Sequence, residues 1–218
     1  SPLAELLQRV VHVERLPQML ANGHLRALAV TGSSYSSGDH VTFCQTARPF
    51  EPWLRSQRVA VPDAIGLPHL MASSAIPFVF PAVRLAIDGG AEWFGDGSMR
   101  QSAPISPAVH LGAERILVIG AGRLQEPPGR RVVSDAYPSL AQIAGHALSN
   151  IFLDALAVDV ERAQRINRTL ALLDPAARRQ TSLKPLEVLV IAPSERLDSI
   201  AARHLHDLPA TVRALLRG

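Results

Sequence analysis

The chain has 218 residues, of which 47% are hydrophobic and 19% charged, a composition that indicates a globular protein and excludes a disordered or fibrous one. Its 22 basic residues against 19 acidic ones leave a net charge of +3, and the arginines are scattered, so we expect no nucleic-acid partner. The length favours one domain with a sizeable core. The single cysteine, Cys44, excludes an internal disulfide, and we expect a buried structural thiol and a cytoplasmic location.

The first half of the chain carries helix signals and then two hairpin signals. Ser1 and Pro2 are typical of a helix start, and Asn22 and Gly23 of a helix end. Alternating apolar residues on each side of a Gly/Ser-rich turn, and later of an Asp-Gly turn, predict two strand pairs. The predicted elements are helices at 1–7 and 14–21, strands at 25–31 and 40–44, a loop at 46–62, a helix at 63–75 capped by Asp63, and strands at 83–87 and 91–94.

The second half alternates helices with two continuous apolar runs. The runs at 115–120 and 186–191 are typical of buried parallel strands, and the stretch at 138–173 has apolar residues at helical spacing. Shorter helices are predicted at 106–111 and 198–216. Because strands and helices interleave, we expect a layered α/β domain.

Two linked segments carry the most specific information. Residues 71–81 read MASSAIPFVFP, and after the second predicted hairpin residues 93–104 read WFGDGSMRQSAP. Together they resemble the patatin-like phospholipase family, in which a similar helix end precedes a hairpin and a D-G-[GA] motif. Residues 105–119 and 25–43 continue the resemblance, so that it covers about residues 1–122. It implies a three-layer αβα fold with a mostly parallel central sheet, and a single domain over 1–218.

The resemblance also implies a catalytic role for Asp96, within the motif formed with Gly97 and Ser98. In this family the aspartate is one half of a Ser-Asp dyad, and a serine hydroxyl needs such a base to become a nucleophile. An aspartate that only caps its own turn is the plainer interpretation. Asp88-Gly89-Gly90 fits the motif more literally, but its position between two short strands is explained by a hairpin turn. Ser98 departs from the family's Gly or Ala, and its hydroxyl either crowds the turn or hydrogen-bonds to Asp96.

The nucleophile of such an enzyme is missing from the sequence. No serine has glycine at both second-neighbour positions, as a G-x-S-x-G elbow requires. Ser36 has only the following Gly38 and is predicted to be a turn serine, whereas Ser73 and Ser74 are predicted to have structural roles at a helix end. We therefore expect that the nucleophile and oxyanion loop lie in a missing N-terminal segment. That segment would also supply the first strands of the family's sheet, without which apolar sheet edges would be exposed.

The other candidate sites in the sequence have weaker support. Gly120 and Gly122 lack the third glycine of a dinucleotide site and the lysine of a P-loop, so we expect no nucleotide. His204 and His206 lack a third ligand, and His146 is interpreted as a helix residue, so we expect no metal and no other cofactor.

The Arg162, Arg165 and Arg168 stripe is interpreted as a solvated helix face, with transient contact to an anionic membrane surface as the alternative. Phe78, Val79, Phe80 and Trp93 are interpreted either as the lining of an acyl cleft or as core residues.

Two functions follow. The first is a lipid acyl hydrolase acting on phospholipid, lysophospholipid or a simpler acyl ester, to which this chain supplies Asp96. The second is a non-catalytic scaffold or interaction module that keeps the fold, in which part of the charge pattern serves a partner. Pairing with the missing segment, or with a second copy of the chain, belongs to the first interpretation.

Overall fold

The structure is a computed structural model that describes residues 2–77, 79–100, 103–120 and 140–194. Contacts divide the chain into two compact units, Ser1–Gly112 and Ala113–Gly218. Each unit combines helices with strands, so the general α/β class is confirmed. One domain over 1–218 stays a prediction.

The first unit is built on a six-stranded sheet. Its strands are β1 (Ala27–Ser34), β2 (His40–Thr46), β3 (Leu54–Arg55), β4 (Arg58–Pro62), β5 (Val83–Ile87) and β6 (Gly90–Asp96). They lie in the order β3-β4-β2-β1-β6-β5. Only β2 and β4 are parallel, and every other neighbouring pair is antiparallel.

Short helices accompany this sheet. They are α1 (Pro2–Val10), α2 (Leu16–Ala21), α3 (Leu67–Ser73) and α4 (Ser106–His110), with single 3-10 turns at Val13–Arg15 and Gly97–Arg100. A proline lies in the first turn of α2, α3 and α4, where its missing N–H leaves no helical hydrogen bond unmade. At the other end of α2, Gly23 adopts a positive φ of 72°, as the Asn-Gly pair predicts.

The core of the first unit lies on one face of the sheet. Val30 of β1 faces Phe43 of β2, and the ring of Phe43 meets that of Phe94 edge to face, with centroids 5.3 Å apart. Helix α3 covers this face with Ala72 and His69, whose ring lies 4.8 Å from Phe43. Aromatic pairs of this kind add about 0.5–1.5 kcal/mol to the burial of their apolar area. The Phe94 contact fixes the strand that ends at Asp96.

The second unit contains a parallel strand pair and a long helix. Strand β7 (Arg115–Ile119) pairs with β8 (Glu187–Ile191), while α5 (Leu140–Leu172) and the short α6 (Pro175–Gln180) lie between them in the chain. Asn167 of α5 donates to the carbonyl of Leu186 at 2.7 Å and accepts its N–H at 2.9 Å, which fastens the helix to the start of β8.

Several sequence predictions are confirmed. Both hairpins form where the turn signals indicate, the long helix spans most of 138–173, and the two apolar runs pair in parallel. The complete burial predicted for these runs is wrong, because their residues alternate between half-buried and exposed, and Ile119 is 79% exposed. The helix predicted at 198–216 lies outside the described residues.

Three other predictions need correction. The predicted loop at 46–62 contains β3 and β4; β4 pairs with β2 and β3 pairs with β4, which local sequence does not show. The sheet of the first unit is mostly antiparallel instead of mostly parallel, because hairpins join its consecutive strands. Helix α3 begins at Leu67 and not after Asp63, because the Asp63 carboxylate accepts from the N–H of Ala64 and pairs with His69.

Candidate active site

Asp96 is the last residue of β6 and lies opposite Gly32 of β1. Its backbone N–H donates to the carbonyl of Ala75 at 3.0 Å, just beyond the end of α3. Ala75 is buried and belongs to the first of the two segments singled out in the sequence. The structure therefore joins the two segments through a direct hydrogen bond at the candidate catalytic residue.

The Asp96 carboxylate is held by its own turn. Its Oδ1 accepts the backbone N–H of Ser98 at 2.8 Å and also the Ser98 hydroxyl. This confirms the hydrogen bond anticipated for Ser98 and fixes the side chain in an Asx turn. Within the described part of the chain, Oδ2 has no hydrogen-bond partner, and the residue is half-buried. Oδ2 is the oxygen that can accept a proton.

Gly97 is required here by packing. A Cβ on Gly97 would overlap the backbone carbonyl and the hydroxyl of Thr31 on β1. Backbone atoms of a paired strand cannot move aside as the end of a flexible side chain can. The absence of a side chain thus lets the turn after Asp96 fold closely onto β1.

Ser36 lies in the turn between β1 and β2, as predicted. Its N–H and that of Ser37 donate to the Ser34 hydroxyl oxygen at 3.0 and 3.1 Å, and Gly38 has a positive φ of 76°. A strand-to-strand turn of this kind lacks the helix that follows a nucleophile elbow. Ser74, whose N–H donates to Leu70 at the end of α3, likewise has the structural role predicted for it.

A second serine–carboxylate pair was not anticipated from the sequence. The Ser34 hydroxyl donates to Glu92 Oε2, which also accepts the hydroxyl of Ser37 at 3.1 Å. Because Ser34 accepts the two backbone N–H groups already described, its one donor and both acceptor positions are used. It is also buried, at 4% exposure. The pair therefore stabilises the turn and offers no nucleophile. Alternation along β6 places Glu92 on the same face as Asp96, and this was the sequence signal from which a second carboxylate on that face could have been predicted.

An aspartate–histidine pair lies at the start of α3. Nε2 of His69 is 3.2 Å from Oδ2 of Asp63, and Nδ1 of the same ring accepts the N–H of Gly66 at 3.0 Å. With Nδ1 occupied by a backbone donor, Nε2 carries the proton and donates to Asp63. Both ring nitrogens are engaged, so the pair ties the start of α3 to the preceding loop and is no general base.

The side chains considered for an acyl cleft do not belong to the core. Val79 is 64% exposed, and Phe80 and Trp93 are also exposed, whereas Phe78 lies outside the described residues. Next to Trp93, the Tyr35 ring lies against Gly95, where a Cβ would overlap it. The core interpretation is therefore wrong for these three residues, and the acyl cleft stays a prediction.

Cys44 is confirmed as a buried thiol. It lies on β2 with 1% of its surface exposed, and burial raises the pKa of its thiol to about 11. Because the thiolate is the reactive form, Cys44 is inert at neutral pH.

The remaining candidate residues from the sequence lie on an exposed helix face or outside the described residues. Arg162, Arg165 and Arg168 are exposed on α5, as a polar face requires. Over the described ranges, no group of three or more His, Cys, Asp and Glu could hold a metal ion. In the same ranges, no helix is both long and apolar enough to cross a membrane. His204, His206 and Gly122 lie outside the described residues.

Comparison with known proteins completes the description of the site. No family model, no curated protein and no solved structure matches the chain.

Proposed function

We propose that this chain is the part of a patatin-like serine acyl hydrolase that supplies the general base, Asp96. The observation that carries the proposal is the hydrogen bond from Asp96 N–H to Ala75 O, because it brings together the two segments that resemble the family. The half-buried carboxylate has one oxygen fixed by Ser98 and the other open among the described residues. That arrangement suits a base that must hold its orientation while it accepts a proton.

The proposed reaction is the one that the family resemblance implies. A serine from a segment outside these 218 residues attacks the ester carbonyl of a phospholipid, lysophospholipid or simpler acyl ester. As the new C–O bond forms, Asp96 Oδ2 accepts the hydroxyl proton and later gives it to the departing alkoxide. Water then attacks the acyl-enzyme while Asp96 accepts a proton from it, and Asp96 returns that proton to the departing serine oxygen as the fatty acid is released. No metal or organic cofactor takes part.

The proposal includes a fold and a location. By the resemblance, residues 1–218 are one domain of a patatin-like α/β protein, in which β7 and β8 belong to the parallel part of a sheet. The parallel β7–β8 pair supports this, whereas the antiparallel sheet of the first unit does not. The buried, reduced Cys44 supports a cytoplasmic location.

The experiment uses protein expressed from the complete gene, treated with a fluorophosphonate that labels activated serines. Intact-mass spectrometry should show one adduct. Asp96→Asn should slow labelling and ester hydrolysis by roughly 10²–10⁴-fold, the usual contribution of a general base. The matched control is Asp88→Asn, which changes the other Asp-Gly pair and should label as the parent does. Equal labelling of Asp96→Asn and the control would refute the role of Asp96.

The second candidate is a non-catalytic scaffold or interaction module with the same fold. The observation that favours it is that Ser34, at the end of β1, and Ser37, in the β1–β2 turn, donate their hydroxyls to Glu92 and not to Asp96. Failure of the complete protein to take up any label, together with no ester hydrolysis, would support this candidate and overturn the first.

A further inference from the structure

An unusual pair of charges lies at the tip of the β3–β4 hairpin. The register places Arg55 directly opposite Arg58, with Ser56 and Gln57 forming the turn between them. Directly opposed residues in an antiparallel pair project from the same face of the sheet with Cβ atoms about 4.5–5.5 Å apart. Like charges in such a position repel one another and disfavour the hairpin unless an anion lies between them.

A third nitrogen-bearing group lies at the same place. His110, the last residue of α4, stacks on Trp53 with ring centroids 4.7 Å apart and an interplanar angle of 15°. Burial lowers the pKa of His110, and the positive charges of Arg55 and Arg58 lower it further. The N–H of Ala60 donates to the carbonyl of Trp53 at 3.0 Å, so the β3–β4 ladder continues to Trp53. Because alternate residues of a strand project from the same face, Trp53 lies on the face of Arg55 and Arg58, and the His110 ring stacked on it lies there too.

Two arginines of the second unit have carboxylate partners, whereas the two arginines of this hairpin have none among the described residues. Across the parallel pair β7–β8, Arg115 lies opposite Glu187 with Nε and Oε2 3.2 Å apart, and Arg162 lies 3.6 Å from Asp159 on α5. Among the residues that the structure describes, no carboxylate forms an ion pair with Arg55 or Arg58. The hairpin tip therefore presents uncompensated positive charge.

The geometry of the donors selects the class of anion. A guanidinium offers planar, paired N–H groups that match two oxygens of a phosphate, and two neighbouring guanidiniums can donate to several oxygens of one tetrahedral anion. The imidazole of His110 can donate a third hydrogen bond, and its stacking on Trp53 limits its rotation. A single carboxylate would satisfy fewer of these donors.

We propose that Arg55, Arg58 and His110 form a binding site for a phosphate group, carried either by a free phosphate compound or by a phospholipid headgroup. The bound phosphate relieves the repulsion between the two arginines, and its negative charge favours protonation of His110. Trp53 supports the imidazole by stacking on one face of its ring, which leaves the N–H groups at the ring edge to donate. This site is independent of the Asp96 proposal, and Asp96→Asn should bind phosphate as the parent protein does.

The test compares two double variants of equal charge. Arg55→Gln with Arg58→Gln removes the site. Arg26→Gln with Arg84→Gln removes two exposed arginines of the same unit that form no ion pair with the described residues. Two probes distinguish the sources of phosphate: inorganic phosphate, followed by calorimetry, and vesicles of phosphatidylcholine with or without phosphatidic acid, followed by co-sedimentation.

The parent protein and the Arg26/Arg84 variant should bind at least one probe, and the Arg55/Arg58 variant should bind it at least about tenfold more weakly. Binding of inorganic phosphate alone assigns the site to soluble phosphate compounds, and binding of the acidic vesicles alone assigns it to a headgroup. Loss of binding that is equal in the two variants would show that only net charge matters and would overturn the proposal. Failure of the parent to bind either probe would overturn it as well.

A folding control accompanies these measurements. Because the two arginines repel each other, the Arg55/Arg58 variant should unfold at a urea midpoint equal to or above that of the parent. Phosphate should raise the thermal midpoint of the parent and of the Arg26/Arg84 variant but not that of the Arg55/Arg58 variant. A parallel NMR titration should show the His110 ring shifting with phosphate only where both arginines are present, and an unmoved ring in the parent would contradict the site.

Discussion

The sequence contains two Asp-Gly pairs eight residues apart, and the structure uses them in different ways. Asp88 and Gly89 form the tight turn between β5 and β6, where both adopt positive φ angles of 47° and 77° and both are exposed. Asp96 ends β6 and Gly97 begins the 3-10 turn that follows; neither has a positive φ, the carboxylate accepts from its own turn, and the glycine packs onto Thr31. The first glycine supplies backbone freedom, and the second supplies space.

This difference shows what a dipeptide can and cannot indicate. Both pairs correctly predict a turn. Only the neighbours of Asp96 determine that its turn lies against another strand and that its N–H meets Ala75. A search for Asp-Gly-Gly alone would have selected Asp88, which makes no contact of this kind among the described residues.

The largest expected effect comes from giving each glycine a methyl group. Gly97→Ala forces the backbone away from Thr31, and we expect a loss of about 3 kcal/mol or more in the free energy of unfolding. At Gly89 an added methyl group meets no neighbouring atom, so Gly89→Ala should lower the free energy of unfolding by only about 1–2 kcal/mol, because alanine must adopt the left-handed conformation. Urea unfolding followed by circular dichroism measures both. Gly23→Ala, at another open glycine with positive φ, should match Gly89→Ala; equal losses at Gly97 and Gly89 would contradict the distinction.

A smaller effect is expected from truncating the two aspartates. Asp96→Ala leaves the Ser98 N–H and hydroxyl without their acceptor, and we expect a loss of about 1–2 kcal/mol. Asp88→Ala removes no hydrogen bond found among the described residues and should cost roughly 0.5 kcal/mol, through the poorer fit of alanine to a positive φ.

Asp96→Asn serves as the control for the aspartate measurement, because it keeps an oxygen that can accept from Ser98. It should unfold close to the parent in urea, even though the proposed chemistry is lost. A loss of stability in Asp96→Asn as large as that in Asp96→Ala would show that charge, and not the turn, holds this segment.

The smallest effect is expected at Ser98. Ser98→Ala removes the hydroxyl donor but keeps the backbone N–H on Asp96 Oδ1, so the turn should survive with a loss of about 0.5–1 kcal/mol. The matched control is Ser56→Ala in the exposed β3–β4 turn, which should change the unfolding free energy by less than about 0.5 kcal/mol. No difference between the two serines would show that the Ser98 hydroxyl contributes nothing to the turn.

Much of the fold could be predicted because its signals are local. The Asp88-Gly89 turn, the apolar runs of β7 and β8 and the helical spacing of α5 are each visible within a short window of sequence. Strands β3 and β4 were missed because β3 has only two residues, and three prolines between 46 and 62 made the segment resemble a loop. The parallel β2–β4 pairing depends on residues far apart in the chain. The mostly parallel sheet was implied by the family resemblance alone.

In the candidate site, too, the features that depend on neighbouring residues could be predicted, and those that depend on distant strands could not. The position of Asp96 at a strand end and its bond to Ser98 were predictable, since both depend on three consecutive residues. The packing of Gly97 against Thr31 and the Ser34–Glu92 pair depend on the register of β1 and β6, strands separated by more than fifty residues. Local sequence contains no information about that register.

The order of the six strands also has an optical consequence. The chain has two tryptophans, and they lie toward opposite edges of this sheet: Trp53 immediately precedes the edge strand β3, and Trp93 lies on β6 beside the edge strand β5. One therefore neighbours the arginine pair and the other the Asp96 turn. In a protein with Trp93 replaced by phenylalanine, tryptophan fluorescence arises only from Trp53 beside His110, and with Trp53 replaced it arises only from Trp93 on β6, so each edge of the sheet carries its own reporter.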